Sequence, residues 1–209
     1  MWRPRGYAEK TAGVVVYVHG LYITVDGAWK DHRLAEQFAA SGLNALFIAP
    51  EAPAGGGDPV LWPGLGTLIL EVEKHLEVRV PRGPLVVMGH SGAYRTLVTW
   101  LDYKPLDRVI LLDALYDNEP EFQAWLQARG RQLTLVEGKS TRERSQRFVK
   151  GLRRLATAMP SIPDEAARFT RRQRRARLLH VKSQYGHFEL VTEGKAIPVL
   201  LGATGLPRL

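Results

Sequence analysis

Short apolar segments alternate with longer amphipathic segments along most of this chain, and this alternation constrains the fold more than any other sequence feature. The short segments are apolar on both faces, and the first is a continuous β-branched run, which is typical of central strands in parallel sheets. They are Val14–His19, Asn44–Ala49, Pro84–Met88, Val109–Leu112, Gln132–Val136 and Leu178–Lys182. The longer segments have apolar residues at helical spacing, and they are Trp29–Ser41, Leu65–Val78, Gly92–Lys104, Pro120–Arg129 and Ser140–Met159. The alternation predicts an α/β protein, a three-layer α/β/α sandwich with a mostly parallel central sheet.

The domain organisation follows from the length. The 209 residues are enough for a single domain with a full core, and we found no repeat and no interdomain linker in residues 1–209. Functional loops of a parallel sheet lie at the carboxyl ends of its strands. The Pro/Gly-rich segment Pro50–Gly66 follows the second strand, so we expect it at this edge, where it could shape a pocket.

The positive charge of the chain is concentrated in one segment. The net charge is +8, whereas residues 139–182 alone carry 14 Lys/Arg and 3 Asp/Glu. We predict that residues 139–177 form a basic helical excursion between the last two strands. Such a segment could bind an anionic polymer or surface, or it could be a solvated helix face. Nucleic acid is not expected as a partner, because only Phe169 interleaves with the arginines of Arg168–Arg177.

Several classes of protein and site are excluded by what the sequence lacks. It has no cysteine, and therefore no disulfide and no thiolate metal site. No apolar run approaches the length of a transmembrane helix, and no leader peptide is evident, so a cytoplasmic location is expected. We see no Asp/His metal cluster and no Walker-type phosphate loop. No metal site is therefore expected.

The most informative motif follows the third apolar segment. Gly89-His90-Ser91-Gly92-Ala93 has the pattern Gly-x-Ser-x-Gly/Ala, with a buried strand before it and a helix after it. This context is that of a nucleophile elbow, where a strained turn presents the serine above the sheet and small neighbours prevent clashes. Ser91 is therefore the candidate nucleophile.

The first apolar segment ends in His19-Gly20, which is where an oxyanion loop would begin. An oxyanion hole needs two backbone N–H groups that point at one place. Gly92, directly after the serine, would supply one of them, and Leu21 or Tyr22 would supply the other. We expect His19 itself to be a structural histidine that hydrogen-bonds this loop.

A catalytic serine needs a general base and an acid that orients the base. Among the six histidines, His187 lies on a loop just past the last strand, so it is the candidate base. Asp113 and Glu137 each follow a strand after the elbow. We favour Asp113, with Glu137 as the alternative and Asp117 as a lesser one. Aromatic residues expected near these groups could line an apolar acyl pocket. The candidate pocket residues are Trp62, Tyr94, Tyr116 and Tyr185.

The order Ser91, Asp113, His187, with His19-Gly20 upstream, resembles that of the α/β-hydrolase fold family over about residues 13 to 200. The resemblance implies a serine hydrolase with a Ser–His–acid triad, no cofactor, and at most a minimal cap. Ala93 replaces the usual glycine of the elbow. An acid on the strand directly after the elbow is similar to the arrangement in pancreatic-type lipases.

Three functions are compatible with this pattern. The first is hydrolysis of a carboxylic ester on a small-molecule or acyl substrate. The second is amide or peptide hydrolysis on a cell-wall or peptide substrate. The third is a binding protein that uses the fold without catalysis, which the presence of both Ser91 and His187 disfavours. The sequence does not determine the oligomeric state or the identity of the substrate.

Overall fold

A seven-stranded parallel sheet forms the centre of the protein. The computed structural model describes all residues, 1–209. The order of strands in the sheet is β2-β1-β3-β4-β5-β7-β6, and every pair is parallel. The strands are β1 Gly13–Val18, β2 Ala45–Ile48, β3 Leu85–His90, β4 Leu106–Leu112, β5 Gln132–Glu137, β6 Ala156–Met159 and β7 Leu178–Lys182.

Helices cover both faces of this sheet. They are α1 Val25–Asp31, α2 Leu34–Ala40, α3 Leu65–Leu76, α4 Tyr94–Thr99, α5 Glu119–Gln127, α6 Arg142–Gly151, α7 Arg171–Arg174, α8 Glu189–Thr192 and α9 Ala196–Gly202. Short 3-10 turns lie at Glu9–Thr11, Ser91–Ala93 and Ala166–Arg168. No helix is of the length and apolarity that crossing a bilayer requires.

Alternation of side chains along the strands gives two cores of similar size, one on each face. One core has 28 buried residues and includes side chains of α3, α4, α5 and α6. The other has 26 and includes side chains of α2, α8 and α9. Because both faces are covered, the strands are apolar on both sides, as the sequence predicts. The predicted three-layer α/β/α architecture is confirmed.

Three of the predicted helices differ from those observed. The predicted helix 92–104 is shorter, because residues 91–93 form a 3-10 turn and α4 spans only Tyr94–Thr99. The predicted helix 140–159 is wrong at its end, because α6 stops at Gly151 and residues 156–159 form the edge strand β6, which pairs only with β7. The predicted helix 29–41 is divided into α1 and α2, because Arg33 has φ 47° and interrupts the helical path. The basic segment 139–177 therefore contains α6, β6 and α7.

Candidate active site

Ser91 lies on a tight turn between β3 and α4. Its φ is 53°, in the left-handed region that non-glycine residues rarely adopt. A Cβ on Gly89 would lie 2.7 Å from Cβ of Ala93, and a Cβ on Gly20 would lie 2.9 Å from Cβ of Ser91. Small residues are therefore required around the serine, as the Gly-x-Ser-x-Ala pattern indicates.

The structure brings Ser91, His187 and Asp113 together, although 96 positions separate the first two in sequence. Oγ of Ser91 lies 3.0 Å from Nε2 of His187, and Nδ1 of His187 lies 2.7 Å from Oδ2 of Asp113. Asp113 follows β4 directly and has no solvent exposure, whereas 23% of the His187 side chain is exposed. The line of hydrogen bonds therefore runs from a buried carboxylate to a partly accessible hydroxyl.

The protonation state of Asp113 follows from its partners. Burial by itself raises the pKa of this carboxyl, but hydrogen bonds from His187 and Thr141 outweigh that effect and hold the pKa below its usual value. Oδ1 of Asp113 accepts from N–H of Thr141 at 3.1 Å and from its Oγ1 at 2.6 Å. An ionised Asp113 accepts the Nδ1 proton of His187, which leaves Nε2 free to accept from Ser91.

Glu137, the alternative acid, has a different partner. Its Oε2 accepts from Nε2 of His180 at 2.6 Å, and both side chains are buried. Its Oε1 accepts from Gln146 at 3.2 Å and lies 3.7 Å from Arg142. Asp117, the lesser alternative, is exposed and lies 3.5 Å from Arg144. Of the three acids, only Asp113 is in contact with His187.

The loop after β1 lies directly against the elbow. A Cβ on Gly92 would lie 2.4 Å from Cγ of Leu21, so the Leu21 side chain packs on this glycine. The N–H of Leu21 has no backbone acceptor, whereas the N–H of Tyr22 donates to the Ala54 carbonyl at 2.6 Å. The expectation that Tyr22 donates to an oxyanion is therefore wrong, because its N–H is already used. Gly92 and Leu21 remain the candidate donors.

His19 fixes the orientation of this loop. It is buried, and its Nδ1 donates to the Gly20 carbonyl at 2.7 Å. The Gly20 carbonyl and the Leu21 N–H belong to one planar trans peptide, so they point in opposite directions. By holding the carbonyl on one side, His19 keeps the Leu21 N–H pointing to the other.

Comparisons with known proteins agree with this architecture. No protein-family model and no curated protein matches the sequence. Solved structures do match. A predicted CIB-like hydrolase from Thermoplasma acidophilum has a TM-score of 0.56 at 14% identity, over 93% of this chain and 86% of the other. The chain has the α/β-hydrolase fold.

Two further α/β-hydrolase structures are similar. An S-formylglutathione hydrolase from Staphylococcus aureus has a TM-score of 0.60 at 13% identity, over 94% of this chain and 82% of the other. A ferulic acid esterase has a TM-score of 0.55 at 13% identity, over 90% and 86%. Identities this low establish a shared fold, so the activity has to be argued from the site.

Two further histidines lie behind the base, and the sequence pattern did not reveal them. His90 precedes Ser91, is 2% exposed, and packs against His187 with ring centroids 4.5 Å apart and the rings tilted. His32 is also buried, and its Nδ1 forms a hydrogen bond with the Tyr17 hydroxyl at 2.9 Å. Burial lowers the pKa of His90 to about 3 and that of His32 to about 4. Both rings are therefore neutral at pH 7.

The aromatic residues expected to line a pocket are in two different environments. Tyr116 lies edge-on to His187, with ring centroids 6.5 Å apart, and Tyr94 lies 6.1 Å from Tyr116. Trp62 packs on one core and its carbonyl accepts from Trp100, whereas Tyr185 packs on the opposite core. Of this set, Tyr116 therefore lies beside His187, with Tyr94 beside Tyr116.

Ser91 and His187 are both partly exposed at the surface. Tyr22 and Phe188 are 88% and 70% exposed, and they follow the candidate oxyanion donor and the candidate base directly in sequence. The two most exposed aromatic side chains of the chain therefore adjoin the site.

The cations of residues 139–182 divide into paired and unpaired groups. Arg144 pairs with Asp117 and Glu119, and Arg174 and Arg177 donate to backbone carbonyls. Two further exposed cations of the segment lie near acids, Arg142 beside Glu137 and Arg168 beside Glu165. The exposed cations that make no ion pair include Arg147, Lys150, Arg153, Arg154, Arg171, Arg172 and Arg175.

Proposed function

We propose that this protein is a serine hydrolase that cleaves carboxylic esters with Ser91 as nucleophile, His187 as base and Asp113 as orienting acid. The observation that carries the proposal is the unbroken line of hydrogen bonds Ser91–His187–Asp113, at 3.0 and 2.7 Å. The protonation states also match, because an ionised Asp113 requires the Nδ1–H tautomer of His187. That tautomer leaves Nε2 as the acceptor for the serine proton.

The proposed reaction has two steps. In the first, the Ser91 hydroxyl attacks the ester carbonyl while Nε2 of His187 takes its proton, and the same proton then passes to the departing alcohol. In the second, His187 takes a proton from water, the hydroxide attacks the acyl-enzyme, and the carboxylic acid leaves as Ser91 is reprotonated. The N–H groups of Gly92 and Leu21 would stabilise the oxyanion in both steps, each by a factor of about 100 or more.

The structural neighbours support an ester-type substrate. One is described as an S-formylglutathione hydrolase and another as a ferulic acid esterase. Thioesters and carboxylic esters share the carbonyl attack that this arrangement suits. The same triad chemistry also applies to amides, so amide hydrolysis is the second candidate.

Covalent labelling tests the nucleophile. We expect a fluorophosphonate probe to label the wild-type protein, and Ser91→Ala to lose both the label and hydrolysis of p-nitrophenyl acetate. Ser161→Ala is a suitable control, since Ser161 is half-buried and makes no side-chain hydrogen bond. An unlabelled but folded wild-type protein would favour the non-catalytic binding function instead.

Matched substrates test the type of bond. p-Nitrophenyl esters of increasing acyl length and the corresponding p-nitroanilides should be compared by kcat/KM. Faster turnover of the esters supports the ester hydrolase. Comparable turnover of the anilides supports the amidase.

A further inference from the structure

His90 contacts both the nucleophile and the base. It is the last residue of β3, its peptide continues directly into Ser91, and its ring packs against that of His187 at an interplanar angle of 39°. Its Nε2 lies 2.9 Å from the backbone carbonyl oxygen of His187. A carbonyl oxygen only accepts, so Nε2 carries the proton and donates it.

This hydrogen bond is unusual among those of the base loop, residues 185–188. Every other hydrogen bond to the backbone of these residues comes from within residues 183–192, through groups such as Ser183, Glu189 and Leu190. The bond from His90 joins residues 97 positions apart. It therefore ties the backbone of the base to the strand that carries the nucleophile.

The surroundings of His90 keep its ring in place. Gly20 packs beside it, since a Cβ there would lie 3.3 Å from Nδ1 of His90. On another side His32 contacts it edge-on, with ring centroids 6.2 Å apart, and His32 is itself held by the Tyr17 hydroxyl. A buried and crowded ring has one available rotamer, so its N–H can fix the position of the atom it binds.

We propose that His90 is a positioning residue, which holds the backbone of His187 so that Nε2 of the base stays within hydrogen-bonding distance of Ser91. This inference rests on the proposed serine hydrolase function. The hydrogen bond from His90 and the contact between the two rings act on the base, not on the substrate. Loss of His90 should therefore lower kcat and the rate of fluorophosphonate labelling, with little effect on KM.

Two substitutions separate the hydrogen bond from the ring. His90→Phe keeps an aromatic ring and removes the donor, and we expect it to lower kcat about tenfold, as for a lost neutral hydrogen bond. His90→Gln keeps an N–H donor of similar reach, and we expect it to retain kcat within about threefold of the wild type. His180→Gln is the matched control, because His180 is also a buried strand histidine but its hydrogen-bond partner is Glu137.

Equal losses of kcat in His90→Phe and His90→Gln, or a change in KM with kcat unchanged, would overturn the positioning role. If the Phe variant does not fold, nitrogen-15 NMR of the wild-type histidines replaces it. An Nε2–H tautomer for His90 supports the inference, and an Nδ1–H tautomer overturns it. A wild-type protein that is neither labelled nor active would instead refute the proposed hydrolase function.

Discussion

Replacement of Asp113 by asparagine tests the proposed acid sharply, because the surroundings leave the new amide one favourable orientation. Oδ1 of Asp113 accepts from the N–H and the Oγ1 of Thr141, and a backbone N–H can only donate. The asparagine must therefore keep its oxygen at Thr141. Its NH₂ group is then directed at Nδ1 of His187, which lies 2.7 Å from Oδ2 in the wild type.

The size of the effect follows from the tautomer. An NH₂ group facing Nδ1 requires that nitrogen to be unprotonated, so the proton moves to Nε2, the atom that faces Ser91. The opposite amide orientation would place two donors against each other at a fully buried site, at a cost of about 1–3 kcal/mol. Tautomer inversion in a triad lowers kcat by about 10⁴-fold, which corresponds to about 5.5 kcal/mol. We expect a loss of that order for Asp113→Asn.

The assay is kcat and KM for p-nitrophenyl acetate, with thermal unfolding followed by circular dichroism to confirm folding. Glu137→Gln is the control, since it also changes a buried carboxylate at a strand end to an amide, but one bound to His180. We expect the control to keep kcat within about threefold of the wild type. A folded Asp113→Asn protein with more than about a tenth of the wild-type kcat would refute the reasoning.

Other predictions test the surroundings of the triad. Gly92→Ala places a Cβ against Leu21 and should lower kcat about 100-fold in steady-state kinetics, whereas an unchanged kcat would contradict the proposed donors. Thr141→Val removes a donor to Asp113 and should raise the pKa of that carboxyl. The acid limb of the pH–rate profile should then move to higher pH, and a profile identical to that of the wild type would contradict this role of Thr141. Because the pKa of His90 is lowered from 6.5 to about 3, the unfolded chain binds a proton that the folded chain does not. The free energy of unfolding should therefore fall as pH drops from 6.5 towards 3, by up to about 1.4 kcal/mol per pH unit. Urea unfolding at several pH values should show a weaker pH dependence of this free energy for His90→Gln than for the wild type.

The elements that the sequence predicted correctly have local signals. A run of β-branched residues marks β1, and a short apolar run marks β7, which is observed at its predicted bounds, Leu178–Lys182. The turn at Ser91 is marked by the small residues around it. By contrast, β6 is four residues long, half-exposed and preceded by two arginines, so it has no apolar pattern to distinguish it from the helix before it.

The choice of acid could not be made from local signals. Asp113 and Glu137 both follow parallel strands of the same sheet, and a strand end alone does not say where a side chain is bound. The distinction depends on β7, whose residue His180 pairs in register beside Leu135 and takes up the Glu137 carboxylate. The burial of His90 was equally hidden, because it depends on packing between β3 and the base loop, which are remote in sequence.

Ser91 and Asp113, at the two ends of the proposed triad, share a backbone conformation that raises the free energy of the native state. Ser91 and Asp113 end neighbouring strands, and both have positive φ, at 53° and 44°. Conformations of this kind raise the energy of the native state by about 1–3 kcal/mol for a residue such as serine. A glycine at position 91 would relax that stress and is expected to make the inactive protein harder to unfold. In this chain, resistance to denaturation and the presentation of the hydroxyl are therefore opposed at a single residue.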